Sequence, residues 1–285
     1  MMAKTLVMIL MMLTASLSAH AEVFRFGVPA THGFEYELAV IRLALDNAEG
    51  DHRLEVVPLP VVSAQRWRQM VIDGEQGINL VLSGYEPELE GVLAPVTIPL
   101  TRGLLGYRLL VVKQDRLHEL SHIDTLSELR NFQIGSGYRW QENSILRDNG
   151  LSLELGHYQN LWAMLTWERF DIFHRGVHEV FDELEARHRD RFAILPGVAL
   201  AFRFDYFLYV PADRQDLQRI LYQGLANAYA NGSFMAFFES HPVIRKTLEL
   251  ADMDSRQVIR LKTPDDRLIL NEVPDRYWHE AILQP

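Results

Sequence analysis

Between Val23 and Gly84 the hydrophobic pattern changes period repeatedly, and that alternation restricts the fold more than any other feature of the chain. "VFRFGV", "RLEVVPLP" and "INLVLSG" read as strands. Between the first two, Phe34, Leu38, Ile41 and Leu45 recur at helical spacing, one face of an amphipathic helix. Between the second two, "SAQRWRQMVIDG" reads as a helix, with Ser63 as its N-cap and Gly74 closing it. A β-α-β-α-β run predicts an open parallel sheet. "INLVLSG" is mostly apolar, as a central strand covered on both faces must be.

The segment "LLGYRLLVVKQD" (104 to 115) reads as one long strand, and after it a second alternating unit begins. "TLSELR" carries a capping box, Thr125 to Glu128. "FQIGSG" is a strand, "RWQENSILRDNG" a helix stopped at Asn149-Gly150, and "LSLELG" a strand. "YQNLWAMLTWE", "RFDIF", "GVHEVFDELEARH" and "RFAIL" continue the alternation. "LAFRFDYFLYVP" reads as a second long strand matching the first, and the remainder is mostly helical. Two α/β units joined by two long strands, with no Gly/Ser linker, predict two lobes that hinge around a cleft.

The first 21 residues stand apart from this pattern. Lys4, the apolar run Leu6–Leu13 and the small-residue end Ala19-His20-Ala21 read as a signal peptide cleaved after Ala21. Losing Lys4 takes the formal charge from −10 to −11, a poor balance for nucleic acid or anionic membranes. The chain has no cysteine, which removes disulfides, thiolate metal sites and a lipid-modified terminus. Export without disulfides suits a bacterial periplasm, with no membrane insertion after cleavage.

Several stretches, in order, resemble one family. They are "FRFGVPATHGFEYELAVIRLAL", "VTIPLTRGLLGYRLLVVKQD", "TLSELRNFQIGSGYRWQENSIL", "LTWERFDIF" and the run from "FDYFLYVP" through "FMAFFES". Together they are similar to the periplasmic solute-binding proteins of the polar amino-acid type, family 3, over roughly residues 23 to 250. The resemblance implies a class II periplasmic-binding-protein-like fold: α/β, two lobes, each an open mostly parallel sheet flanked by helices, joined by two hinge strands. It places a discontinuous first lobe at 22–110 and 204–285, with the second lobe, 111–203, inserted in it. One departure stands out. Where amino-acid-binding members carry an arginine for the ligand α-carboxylate, this chain reads "SGYEPELEG", with Leu89 near the expected position.

The resemblance brings Thr31, His32 and Phe34 to the cleft from the loop after the first strand, and Ser83, Gly84 and Tyr85 from the end of the third. Ligands of open α/β sheets bind outside such carboxyl ends. Ser136, Gly137 and Tyr138 form a glycine turn ahead of a helix. That turn reads either as an anion site built from amides or as a plain tight turn. It is no dinucleotide fingerprint, because Trp140 occupies the sixth position. Arg102 and Arg139 are the candidate carboxylate forks. Asp171, read as ending a strand, is either the partner for a ligand ammonium that the resemblance implies or a helix N-cap. Phe173 is a candidate pocket wall, though aromatic residues at such spacing are commonly core. His174 and His178 lack a metal-site order, and no cofactor, metal or hydrolase motif is read.

The expected function is a non-enzymatic, monomeric receptor that closes on a small polar, carboxylate-bearing solute. Its membrane partner would be an ABC-type permease or a sensor protein. The alternatives are an exported enzyme on the same scaffold and a degenerate homologue that acts by protein contact.

Overall fold

The computed structural model describes residues 21–29, 33–186, 190–264 and 269–283. Nearly all of the expected signal peptide, together with Thr31 and His32, lies outside them. Strand β1 (Val23–Pro29) leads to helix α1 (Glu35–Asp46), β2 (Arg53–Leu59), α2 (Ala64–Ile72), β3 (Val81–Gly84) and β4 (Leu93–Val96). The second unit runs β5 (Tyr107–Lys113), α3 (Leu117–Leu120), α4 (Leu126–Leu129), β6 (Gln133–Gly137), α5 (Asn143–Asp148) and β7 (Ser152–Gly156). It continues with α6 (Tyr158–Thr166), β8 (Ile172–Gly176), α7 (Val180–Ala186), β9 (Phe192–Ile194) and β10 (Val198–Ala201). The chain then returns through β11 (Tyr206–Pro211), α8 (Gln215–Ala230), α9 (Ser233–Ser240) and α10 (Pro242–Ala251). It ends in β12 (Gln257–Arg260), α11 (Ile269–Glu272) and α12 (Glu280–Leu283).

In the first lobe β1 and β2 pair in parallel, while β3 and β4 flank β11 antiparallel. A single parallel bridge, Phe26 to Leu80, joins these pieces in the order β2-β1-β3-β11-β4. The second lobe is a sheet in the order β12-β10-β5-β8-β6-β7, with β9 beside β5. Both of its faces are covered. Tyr107, Leu109 and Val111 of β5 join one apolar cluster and Leu110 and Val112 the other, as the two-residue period of a strand requires.

The local signals act where the sequence places them. Ser63 accepts from the Arg66 amide, Thr125 and Glu128 close a capping box, and Gly74 and Gly150 take positive φ past their helices. Three expectations change. "LAFRFDYFLYVP" is two strands, since the chain crosses between lobes at residues 202–205. The strand read as "RFDIF" is Ile172–Gly176, so Asp171 precedes it and His174 and Arg175 lie inside it. The segment 204–285, expected to complete the first lobe, sends β12 to the second sheet, parallel to β10.

Two of the chain's passages between the lobes, Thr101–Gly106 and Phe202–Asp205, touch backbone to backbone, and a third leads from α10 to β12. The Phe202 amide donates to Gly106 O at 3.2 Å, and a Cβ on Gly106 would lie 2.1 Å from Phe202 O. Only glycine fits such an approach. Asp205, fully buried, fastens the crossings by accepting from the Thr101 and Gly103 amides at 2.9 and 2.6 Å.

Candidate functional site

The carboxyl ends of β3, β6 and β8 converge between the lobes. From the first lobe, Ser83 is buried and Arg68 of α2 reaches it, Nη1 to Oγ at 3.4 Å. Arg68 Nη2 also meets the Glu86 carboxylate at 3.3 Å. From the second lobe, Gln141 donates to Glu86 Oε1 at 2.6 Å, so Glu86 takes hydrogen bonds from both sides of the cleft. Arg139, with positive φ, reaches across to Gln65 of α2.

Behind this contact lies a buried charge network. Arg108 of β5 and Arg175 of β8 are 1% and 4% exposed, so their guanidinium groups must be compensated within the protein. Arg108 pairs with Glu142 at 2.9 Å, and Arg175 forks onto Glu183 at 2.6 and 2.7 Å. Glu179 serves both arginines, 3.0 Å from Arg175 and 3.8 Å from Arg108. Burial pushes the Glu179 carboxyl up, but Arg175, His178 and Arg108 outweigh it and hold it at about 2. Arg175 also lies over the rings of Trp140, Phe173 and Tyr158 at 5.0, 5.3 and 5.5 Å, where the ring faces favour a cation. On α1, the half-buried Glu37 is driven to about 7 by burial, with the Glu179 charge adding to the effect.

The expected site residues divide into those at this junction and those held elsewhere. Ser83 is in it, and Arg139 edges it. Gly84 lies at its floor, close under the Phe204 ring, where a Cβ would come within 2.8 Å. Tyr85 is buried and its hydroxyl meets Glu90. Phe34 packs edge-on against Phe26 and lies beside Trp67, part of the first-lobe core. Arg102 turns away from the cleft, donating to Trp278 O at 2.9 Å.

Ser136 is fully buried, donating to Asn143 Oδ1 at 2.6 Å and lying 3.0 Å from His174 Nε2. Burial, reinforced by Arg108 and Arg175, drives the His174 pKa well below its ordinary value. The Tyr138 amide is bonded to Gly156 O, and the Trp140 ring sits against Gly137. The amides of the glycine turn are therefore either bonded or covered. Asp171 pairs with Arg116 at 2.5 Å and accepts the Gln133 amide, which fixes a strand end. Phe173 is fully buried beneath Trp140, with ring centroids 6.3 Å apart.

Sequence reasoning missed Arg68, Glu86, Arg108, Arg175 and Gln141. For Arg68 a signal existed: Trp67, Met70 and Val71 are the buried face of α2, and position 68 borders it. Arg108 and Arg175 interrupt apolar strands, which is itself the mark of a charge buried with its partners. Among the described residues no group of three or more His, Asp or Glu could hold a metal ion, and no helix is long and apolar enough to cross a membrane.

No protein-family profile matches the sequence, and no curated protein matches it. Solved structures do. A double-mutant form of the periplasmic VFT2 domain of Bordetella pertussis BvgS superposes with TM-score 0.57 at 12% identity, over 76% of this chain and 92% of that one. An amino-acid ABC transporter substrate-binding protein from Streptococcus pneumoniae, bound to L-arginine, gives 0.53 at 15% identity, over 80% and 95%. The fold is that of the two-lobe periplasmic binding proteins. Within the periplasmic-binding-protein fold, the junction of Arg68, Ser83, Glu86 and Gln141 lies between the lobes at strand carboxyl ends, where open α/β sheets take ligands. Other solved neighbours are likewise substrate-binding proteins of amino-acid ABC transporters.

Proposed function

We propose that this protein is a periplasmic solute-binding receptor whose ligand carries a carboxylate and lies where Arg68 and Glu86 meet Gln141. The observation behind this reading is the loose hold on Arg68. Its contacts to Ser83 and Glu86, at 3.4 and 3.3 Å, sit at the long end of the hydrogen-bond range, whereas Arg175 is gripped at 2.6 and 2.7 Å. An arginine with spare donors can take a carboxylate as a two-pronged fork. A ligand ammonium would then find Glu86. On this reading Arg68 does the work of the arginine missing near Leu89, from a helix that precedes β3 instead of following it.

A ligand held by both lobes favours the closed form, because it binds that form better than the open one. Working as a monomer, the closed receptor would be read by a membrane permease or a sensor. The test is a thermal-unfolding screen of refolded, ligand-free protein against amino acids, small carboxylates, polyamines, peptides and sugars. Saturation at a hundredfold the Kd adds about 2.7 kcal/mol to stability. A shift with carboxylate-bearing solutes that shrinks markedly in Arg68→Ala supports the assignment. No shift across the panel, or one unaffected by Arg68→Ala, removes it.

A further inference from the structure

The crossings at Thr101–Gly106 and Phe202–Asp205 are covered by the last described residues, 269–283. The Arg102 carbonyl accepts the His279 amide at 2.6 Å, while Arg102 Nη2 donates to Trp278 O. Trp278 is 1% exposed and lies so close to Gly103 that a Cβ there would be 2.6 Å from its ring. The second crossing is held by the same segment. Arg203 pairs with Asp275 at 2.6 Å, reaches Leu270 O and Val273 O, and lies over the Trp278 ring at 5.6 Å. One indole therefore packs against both crossings.

The flanks of this segment are fastened to opposite lobes. On the first-lobe side, Tyr277 packs edge-on against Tyr229 of α8, with ring centroids 4.7 Å apart. On the second-lobe side, Arg260 of β12 donates to the carbonyls of Ala281 and Ile282, both at 3.2 Å. Strand β12 is itself part of the second sheet. Just beyond it, Asn149 and Lys262 exchange two hydrogen bonds of 2.9 Å. The chain has already passed between the lobes a third time on its way from α8 to β12, and residues 269–283 add noncovalent contacts to both sides.

We propose that residues 269–283 are a clamp that sets the angle between the lobes. Rotation about the crossings has to part Trp278 from Gly103 or Arg203, or part Arg260 from the carbonyls of Ala281 and Ile282. Contacts that exist at one interlobe angle and not at another shift the equilibrium by their difference in free energy. The clamp therefore acts with no solute present, and its test does not depend on which solute binds.

The chain has no cysteine, so labels at Asp73→Cys and Asp148→Cys, both exposed and one on each lobe, report only the interlobe distance. Pulsed dipolar spectroscopy on ligand-free protein should give one narrow distribution. Arg260→Ala and Arg203→Ala should each add a second, longer-distance population. If either arginine variant fails to fold, Asp275→Asn loosens the Arg203 pair from a side chain that is 72% exposed. Folded variants that keep the parental distribution overturn the clamp.

Discussion

Thr101 and Asp205, 104 residues apart in the chain, are joined by two kinds of hydrogen bond in the interior: the Thr101 amide donates to Oδ2 at 2.9 Å and its hydroxyl to the same oxygen at 2.9 Å. The Gly103 and Tyr206 amides complete the set. Asp205→Ala leaves the Thr101 and Gly103 amides without an acceptor. At about 1–3 kcal/mol for each buried unsatisfied group, the loss should be about 2–6 kcal/mol in denaturant titration. A variant within experimental error of the parent would show that these amides find other partners.

Two raised carboxyls oppose four lowered histidines, His174, His178, His241 and His279, in the response to pH. Burial brings Asp205 to about 7 against its four donors, and Glu37 to about 7 as well. Each is protonated in the folded state where the unfolded chain has already ionised. Their stabilisation is therefore complete below the ordinary carboxylate range and is lost as pH rises through about 7. Glu179, held at about 2, works the other way: its contribution is present above the ordinary range and lost as pH falls toward 2. Compared with the parent, Glu37→Gln should lose less melting temperature, or gain more, as pH rises from about 5 to about 8. A difference between parent and Glu37→Gln that stays constant over that window contradicts the assignment.

Arg68→Ala and Arg102→Ala should separate binding from stability. Losing a hydrogen-bonded charge at the ligand costs about 1.5–3 kcal/mol, so Arg68→Ala should weaken solute affinity about tenfold to a hundredfold and barely change the melting temperature. Arg102, bonded to Trp278 O and lying over Phe238, should show the reverse pattern. Calorimetry on both variants decides, and equal affinity losses would place Arg102 in the site after all.

Gly224 marks where α8 crosses α1. A Cβ there would lie 1.9 Å from Ala44 O, a backbone atom that cannot swing aside. Gly224→Ala should force the helices apart and cost about 1–3 kcal/mol or more. An unchanged denaturation midpoint would mean that α8 shifts freely.

How far the sequence revealed this molecule depends on whether a signal was local. The alternation of strands and helices, the Ser63 cap and the Thr125–Glu128 box are written into adjacent residues, and they appear where expected. The break at 202–205 was hidden, because Phe202 and Phe204 are as apolar as strand residues and only Asp205 hints at a crossing. Arg108 carries no local mark of its partner, since Glu142 lies 34 residues on, whereas the partners of Arg175, Glu179 and Glu183, follow it closely and were overlooked. Asp171 looked like a ligand group or a cap because Arg116, its actual partner, is 55 residues away. The loop with Thr31 and His32 lies outside the described residues, so its expected part in binding stays a proposal.

The pairing of β3 with β11 also bears on how the chain reaches its native state. The second lobe is nearly contiguous in sequence and needs only the late strand β12 at its edge. The first lobe must wait for Tyr206–Tyr209 to return and pair with Val81–Gly84 across more than a hundred residues of intervening chain. Long-range pairing of this kind carries a loop-closure cost before it is rewarded, and it slows folding. The half of the protein that emerges first from the ribosome should therefore complete its sheet only after β11 has followed it.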